Sequence, residues 1–133
     1  MLFVDECVFN PRSLLRKIWS TNSEETILYK KKTSFKAVAV LGAISVEGEL
    51  VAYVLREGSI QLDDLKKMAN KIKSKYKRRR VVMFLDNLPL HHTKAFKEHT
   101  SAYKQQLVFN AGYSSELNPI ERLWALAKRS FGR

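Results

Sequence analysis

The sequence has one cysteine, Cys7, and no long apolar run among its 133 residues. A single thiol excludes an internal disulfide bond and a zinc site built from several cysteines, and it suits a reducing intracellular setting. We expect Cys7 to be a small buried hydrophobe in a strand. The longest apolar run, AVAVLGAI at 37–44, is far too short to span a bilayer. The start, MLFVDECV, carries two acids and no basic leader, which does not fit a signal peptide.

Acidic residues are scarce relative to basic ones. The chain holds 24 Lys and Arg against 13 Asp and Glu, which gives a formal net charge of +11. Such a surface favours a polyanionic partner, either nucleic acid or an acidic membrane face. The length fits one compact domain, 1–133, that can bury a real core. We expect it in the nucleus if the source is eukaryotic, and in the cytoplasm or nucleoid if it is bacterial.

The apolar pattern predicts an α/β domain with elements in the order β, β, β, α, β, α, β, α, the second and third strands forming a hairpin. The run VVMFLD is typical of a strand covered on both faces in a parallel sheet. The stretch 10–36 lacks periodicity and is predicted as a long connection with one short strand at TILYK. Strands are predicted at 2–9, 36–45, 49–57, 81–86 and 106–110, and helices at 62–76, 93–103 and 117–131.

Three acidic residues occupy positions that this fold could bring together. Asp5 lies in the first strand, Asp86 ends the fourth, and Glu121 begins the last helix. If the first and fourth strands are parallel neighbours, Asp5 and Asp86 converge at the carboxyl edge, where ligand sites of open α/β sheets gather. Clustered carboxylates repel one another unless protons or cations neutralise them, and ligation by oxygen alone suits Mg²⁺ or Mn²⁺. Two such ions could clamp a phosphodiester.

Glu121 also has a structural explanation. Asn118, Pro119 and Glu121 have the spacing of a capping box, with an N-cap, proline at the first helical position and glutamate at the third. Capping does not exclude catalysis, because a capping glutamate still stands at an exposed helix end.

The other two acids have alternatives as well. The dipeptide DN at 86–87 is a common turn signal. Asp5 and Glu6 could form a charge pair on an edge strand. However, the alternation of a strand puts Asp5 on the face of Phe3 and Cys7, which is an unusual place for an idle charge.

Two further polar features have open interpretations. His91 and His92 are adjacent, so their side chains diverge and both cannot easily bind one ion. They could form a polar entry to the next helix, or take a supporting role beside the acids, such as contacting DNA phosphate. The run KYKRRR at 75–80 could be a nuclear-targeting patch, solvated charge at a helix end, or a phosphate contact.

Four blocks of the sequence together resemble a known family. VDECVFN, VLGAIS, FLDNLPLHH and YSSELNPIERLW are similar to the catalytic domains of mariner-type transposases and their bacterial insertion-sequence relatives. Those enzymes belong to the retroviral-integrase, ribonuclease-H-like superfamily. The likeness extends from Val4 to about Lys128, and the combination of the ELNPIE block with the LDN–HH block makes it specific.

The resemblance implies a ribonuclease-H-like α/β fold: a mixed five-stranded sheet, with its first three strands antiparallel, flanked by helices. It also implies a catalytic and metal-binding triad of Asp5, Asp86 and Glu121, which match the family's three acidic motifs. The 34 residues between the last two acids match the spacing of one branch of the family. The residues expected to shape the site are Asn87, His91 and His92.

The implied reaction cuts and joins DNA. Hydrolysis of a phosphodiester at the element end frees a 3′-hydroxyl, which then attacks target DNA. The implied cofactors are two Mg²⁺ or Mn²⁺ ions, and the implied partners are double-stranded DNA, at transposon ends and target, and a second copy of the chain in a homodimeric DNA complex. No membrane partner is expected. The candidate phosphate contacts are Arg12, Arg16, Lys17, Lys30, Lys31, Lys32, Lys75, Lys77, Arg78, Arg79 and Arg80.

Related transposases carry helix-turn-helix modules ahead of this domain, whereas this chain begins almost at the first catalytic strand. We therefore expect a single catalytic domain without those modules: an excised domain, a truncated reading frame or a host-adopted remnant. Two other functions stay open. One is a non-catalytic DNA-binding or assembly module, and the other is a structure-selective nuclease of the same fold that cuts without joining.

Overall fold

A computed structural model of the chain describes residues 1–10, 36–112 and 114–131, with the side chains of residues 115 and 131 excepted. The strand predicted at TILYK lies outside the described residues. The elements that are described follow the predicted order, with three strands, a helix, a strand, a helix, a strand and a final helix.

Five strands form one mixed sheet, in the spatial order β3-β2-β1-β4-β5. The first three strands are antiparallel neighbours, and the predicted hairpin joins the second to the third. The fourth strand pairs in parallel with both the first and the fifth. The sheet predicted from the sequence is therefore confirmed. The strands are β1 (Leu2–Phe9), β2 (Val38–Ser45), β3 (Leu50–Glu57), β4 (Val81–Leu85) and β5 (Gln105–Phe109).

Three α-helices accompany the sheet: α1 (Leu62–Lys75), α2 (Lys94–Ala102) and α3 (Ile120–Phe131). The last helix begins three residues after the start of the predicted apolar stripe at 117–131. The predicted N-cap, Asn118, is confirmed: its side-chain Oδ1 accepts a hydrogen bond from the backbone N–H of Ile120 at 3.2 Å. Two short 3₁₀ helices, at Pro89–His92 and Ser115–Leu117, were not predicted. Within the described part of the chain, the helices are too short and too polar to cross a membrane.

Helices cover both faces of the sheet. One face buries the larger apolar cluster beneath α1 and α2, and the other buries a smaller cluster that includes Cys7, Ile44, Ile120 and Trp124 beneath α3. Cys7 is 4% exposed, so its predicted role as a small buried hydrophobe in a strand is confirmed. Because residues alternate between faces along a strand, neighbours in β1 point toward different helices.

Candidate active site

Asp5 and Asp86 lie level with each other on adjacent strands. β1 and β4 pair in parallel, with Phe3 opposite Phe84. Continuing that register by two residues places Asp5 beside Asp86, which directly follows the end of β4. Neighbouring strands are about 4.8 Å apart, so the backbones hold the two acids close together at the carboxyl end of β4.

The surroundings of Asp5 favour its protonated form. Burial raises the pKa of Asp5 to about 6, and the negative charges of Glu121 and Asp86 add to the increase. A backbone hydrogen bond and the indole of Trp124 act in the opposite direction, with Trp124 Nε1 donating to Asp5 Oδ2 at 3.1 Å. The charges of the two other predicted acids, Asp86 and Glu121, therefore both act on Asp5.

His91 links Asp86 to a fourth acid. Its side chain is fully buried, with Nδ1 at 2.8 Å from Asp86 Oδ1 and Nε2 at 3.3 Å from Glu6 Oε1. Burial lowers the pKa of His91, but the hydrogen bonds to Asp86 and Glu6 outweigh it and raise the pKa to about 9. For Asp86, burial raises the pKa, but the hydrogen bond from His91 outweighs burial and holds the pKa of Asp86 below its usual value. His91 is thus a buried imidazolium between two carboxylates.

Glu6 is the site residue that the sequence did not single out. β1 is the central strand of the sheet, so an edge-strand charge pair of Asp5 and Glu6 is ruled out. Instead the two acids face opposite sides, Asp5 toward α3 and Glu6 toward His91. The signal was present as two successive carboxylates in an otherwise apolar strand, but Glu6 and His91 are 85 residues apart in the chain.

Glu121 lies in the first turn of α3 and its side chain is exposed. Asn118 provides the cap of this helix through its own side chain. Among the described residues, the Glu121 carboxylate accepts no hydrogen bond, so the second half of the predicted capping box is not formed. The carboxylate is free to bind a ligand, and its charge already acts on Asp5.

Oxygen ligands that repel one another are a donor set suited to Mg²⁺ or Mn²⁺. Asp5, Asp86 and Glu121 fit such an ion chemically, because a cation would relieve the repulsion that raises the pKa of Asp5. Across residues 1–10, 36–112 and 114–131, however, no three His, Cys, Asp or Glu side chains lie close enough to hold one ion. Asp5 and Asp86 form the part fixed by the sheet, and Glu121 is the member that depends on the position of α3.

Asn87 and His92 order the loop after β4. Asn87 Nδ2 donates to the backbone oxygen of Asn110, and Asn87 Oδ1 lies 3.1 Å from His92 Nε2. The His92 ring stacks on Phe109 with ring centres 4.0 Å apart. Both histidines thus belong to the short 3₁₀ helix that leads into α2, as the helix-entry interpretation predicted. Because His91 is fully buried, the alternative that it contacts DNA phosphate is wrong for this residue.

The basic run at the end of α1 lies at the other end of the sheet. Arg80 precedes β4, whereas Asp86 follows it, and six residues of extended chain span roughly 20 Å. A surface pocket of about 310 Å³ at that end is lined in part by Tyr76, Arg79 and Arg80. We call the exposed side chains of Lys75, Lys77, Arg78, Arg79 and Arg80 the basic end. The other predicted phosphate contacts, Arg12, Arg16, Lys17, Lys30, Lys31 and Lys32, lie outside the described residues.

The strand order, the helices on both faces and the level pair of acids define a ribonuclease-H-like α/β domain. The chain belongs to the DDE superfamily endonuclease family, whose model matches residues 1–133. No curated protein sequence matches it.

Solved structures with the same fold come from the Mos1 transposase. The Mos1 paired-end complex with the left transposon end is 18% identical with a TM-score of 0.69, and the alignment covers 98% of this chain and 41% of that one. The Mos1 catalytic domain with raltegravir and Mn is 14% identical with a TM-score of 0.71, and the alignment covers 99% of this chain and 60% of that one. A simian T-cell lymphotropic virus intasome is 11% identical with a TM-score of 0.58, covering 98% and 36%. The chain thus spans less than two thirds of the chains it matches.

Proposed function

We propose that this chain is the catalytic domain of a transposase, which cuts DNA and joins the freed strands in a reaction dependent on divalent metal ions. The observation that carries the proposal is that the charges of Glu121 and Asp86 both act on Asp5, on parallel strands whose register, continued by two residues, brings Asp5 level with Asp86. Membership of the DDE superfamily endonuclease family and the fold shared with the Mos1 catalytic domain support it.

In this proposal, Asp5, Asp86 and Glu121 hold two Mg²⁺ or Mn²⁺ ions. When bound, the ions neutralise the carboxylates and stabilise charge on the attacking and leaving oxygens of the phosphodiester. His91 fixes one oxygen of Asp86 at 2.8 Å, and the Asp86 side chain stays 41% exposed. Glu121, exposed and without a hydrogen bond among the described residues, completes the set from α3.

The proposed substrate is double-stranded DNA, at the ends of a mobile element and at its target. The net charge of +11 and the exposed basic end favour phosphate contacts. A duplex that touches both ends of the sheet must extend over roughly 20 Å, or about six base pairs, since B-DNA rises 3.4 Å per pair. Joining two element ends calls for two active sites, so we propose a homodimer in the DNA complex. Sedimentation of the chain with and without duplex DNA measures this directly.

The activity is tested with the full chain, Mn²⁺ or Mg²⁺, a supercoiled plasmid and a labelled duplex with a recessed 3′-hydroxyl end. We expect nicking of the plasmid and transfer of the labelled strand into it. Nicking without transfer would favour a nuclease that only cuts. Binding of DNA with neither reaction would favour a non-catalytic module and would contradict the proposal.

Matched variants assign the chemistry to the acids. Glu121→Gln keeps the Asn118 cap but removes the charge, and we expect cutting to fall by about 10³-fold, as loss of several kcal/mol of charge stabilisation requires. Glu116→Gln removes the same charge just ahead of α3, from an exposed side chain that is outside the triad, and should cut normally. Equal activity of the two variants would remove Glu121 from the mechanism.

A further inference from the structure

Helix α3 reaches Asp5 through a tryptophan. Trp124 is 6% exposed, and its Nε1 donates a hydrogen bond to Asp5 Oδ2 at 3.1 Å. The two residues are 119 positions apart in the sequence, so this bond connects the last helix to the first strand. An indole N–H is a donor without charge. It therefore holds one oxygen of Asp5 without cancelling the negative charge that would attract a cation.

Gly42 provides the space that orients the indole. It is the register partner of Asp5 in the antiparallel pair of β1 and β2. A Cβ atom at residue 42 would lie 2.6 Å from Trp124 Cη2 and 3.0 Å from Cζ2, which is closer than atoms can pack. The six-membered ring of Trp124 thus lies directly over Gly42, and this packing turns the N–H toward the neighbouring Asp5. The glycine is required by the ring, since its backbone is that of an ordinary strand residue.

The same helix carries the third acid. Glu121 precedes Trp124 by three residues, so the two side chains are neighbours on the surface of α3. Glu121 has no hydrogen bond of its own within the described chain, and its charge and that of Asp5 repel each other. The indole bond and the packing of Ile120 and Trp124 hold α3 against β1 in spite of this repulsion. The position of Glu121 relative to Asp5 therefore depends on Trp124.

We propose that Trp124, which packs on Gly42, is a positioning residue that fixes the Asp5 carboxylate for a divalent cation and holds Glu121 within reach of the same cation. This inference rests on the proposed function. It differs from a purely structural role of Trp124, because it requires that the contribution of Glu121 to cation binding be lost when the indole bond is lost.

The bond itself can be measured without metal. In a Trp19→Phe background, Trp124 is the only tryptophan of the chain. We expect its indole ¹H–¹⁵N resonance to shift on Asp5→Asn and to stay unchanged on Glu116→Gln. An indole resonance that does not shift on Asp5→Asn would show that the hydrogen bond between Trp124 and Asp5 is absent. That result would overturn the inference, whatever the catalytic activity.

Cation binding is then followed by calorimetric Mn²⁺ titration of that single-tryptophan chain. Substituting Trp124 with benzothienylalanine keeps the shape of the ring and removes only the N–H. We expect Mn²⁺ affinity to fall about tenfold, the low end for loss of a hydrogen bond to a charged group. Gly42→Ala keeps the N–H but displaces the ring, and should weaken Mn²⁺ binding in the same way. Ile44→Val trims the same apolar cluster from β2 while leaving the bond, so it should lower the melting temperature without changing Mn²⁺ affinity.

A double-mutant cycle separates positioning from folding. Glu121→Gln should weaken Mn²⁺ binding in the parent chain, and should have little further effect once the Trp124 N–H has been removed. Additive effects of the two changes would overturn the inference while leaving the proposed function intact. Absence of Mn²⁺ binding by the parent chain would overturn both, because the proposed function would then have failed first.

Discussion

The two ends of β4 carry opposite charges in opposite settings. We call the carboxyl end of β4 the carboxylate end. There the side chains of Asp5, Glu6, Asp86 and His91 are at least partly buried. His91 forms hydrogen bonds with Glu6 and Asp86, and the indole of Trp124 donates one to Asp5. At the basic end, five cationic side chains are exposed, and none forms an ion pair with a described carboxylate. Burial and pairing shift pKa values and fix geometry, which catalysis requires, whereas exposed unpaired charge suits a polyanion that binds without regard to sequence. In the proposed function, the first end is the reaction site and the second is the DNA-binding surface.

The largest effect on this comparison should come from His91→Ala. The substitution leaves Glu6 and Asp86 as carboxylates without their cationic partner, one of them 21% and the other 41% exposed in its side chain. We expect the free energy of unfolding to fall by about 3 kcal/mol, the low end for breaking a buried ion pair, because Asp86 retains access to water. Urea denaturation at neutral pH measures the change.

His92→Ala is the matched control. This histidine stacks on Phe109 and meets the Asn87 amide, but it is exposed and pairs with no acid. We expect a loss below about 1 kcal/mol. Equal losses for the two histidines would mean that the buried imidazolium contributes nothing specific to the carboxylate end.

The basic end is tested by removing three charges together, with Arg78, Arg79 and Arg80 changed to Ala. If each arginine contacts a phosphate, the slope of log Kd against log salt concentration for duplex binding should decrease by roughly three. Because the basic end lies roughly 20 Å from Asp86, Mn²⁺-dependent cutting at saturating DNA should be unchanged. Fluorescence anisotropy with two unrelated duplex sequences measures the affinity, which should fall equally for both.

A triple change of Lys36, Lys67 and Lys94 to Ala is the control for net charge. It removes the same three positive charges, but each of these lysines already lies within 4.0 Å of a carboxylate. The slope should change far less than for the arginines. Equal slopes in both triple variants would show that total charge, and no particular surface, sets the affinity.

The fold could be predicted from the sequence because its signals are local. An alternating or continuous apolar run predicts a strand, and apolar spacing of three and four residues predicts a helix, so the strands and helices were found in their correct order. For α3, the apolar stripe placed the start three residues too early, whereas the capping pattern at Asn118 placed it correctly, because a stripe does not mark where a helix ends. The short 3₁₀ helix at Pro89–His92 has too few residues to give a periodic signal.

The candidate site could be predicted only in part. Asp86 and Glu121 occupy ends of elements, where strand and helix patterns identify them, and Asp5 was singled out as a charge on the apolar face of the first strand. The resemblance then matched all three to one triad. Glu6 was missed because its partner, His91, is 85 residues away, and the Trp124 bond to Asp5 spans 119 residues. Contacts of this range are set by strand register and helix docking, which depend on the packed core and leave no mark in the local sequence.

The smallest predicted effect concerns the sign of a stability change. The pKa of Asp5 is raised to about 6 in the fold, whereas its value in an unfolded chain is 3.8. Between those pH values the folded state holds the proton more tightly, so stability falls as pH rises and the loss is complete above about pH 6. Asp5→Asn has no such loss. We expect the variant to be more stable than the parent by about 1 to 2 kcal/mol at pH 7.5, allowing for the partial exposure of Asp5.

Denaturation of both chains from pH 3.5 to 7.5 measures this difference, which should vanish at the acid limit, where Asp5 is protonated in both states. Saturating Mn²⁺ should then raise the stability of the parent more than that of Asp5→Asn, because the variant has lost one of the three carboxylates that the cation neutralises. Removing the cation with a chelator should reverse the gain. A parent chain more stable than the variant at pH 7.5 without metal would mean that the repulsion among Asp5, Asp86 and Glu121 is already relieved, and that the carboxylate end is not poised to attract a cation.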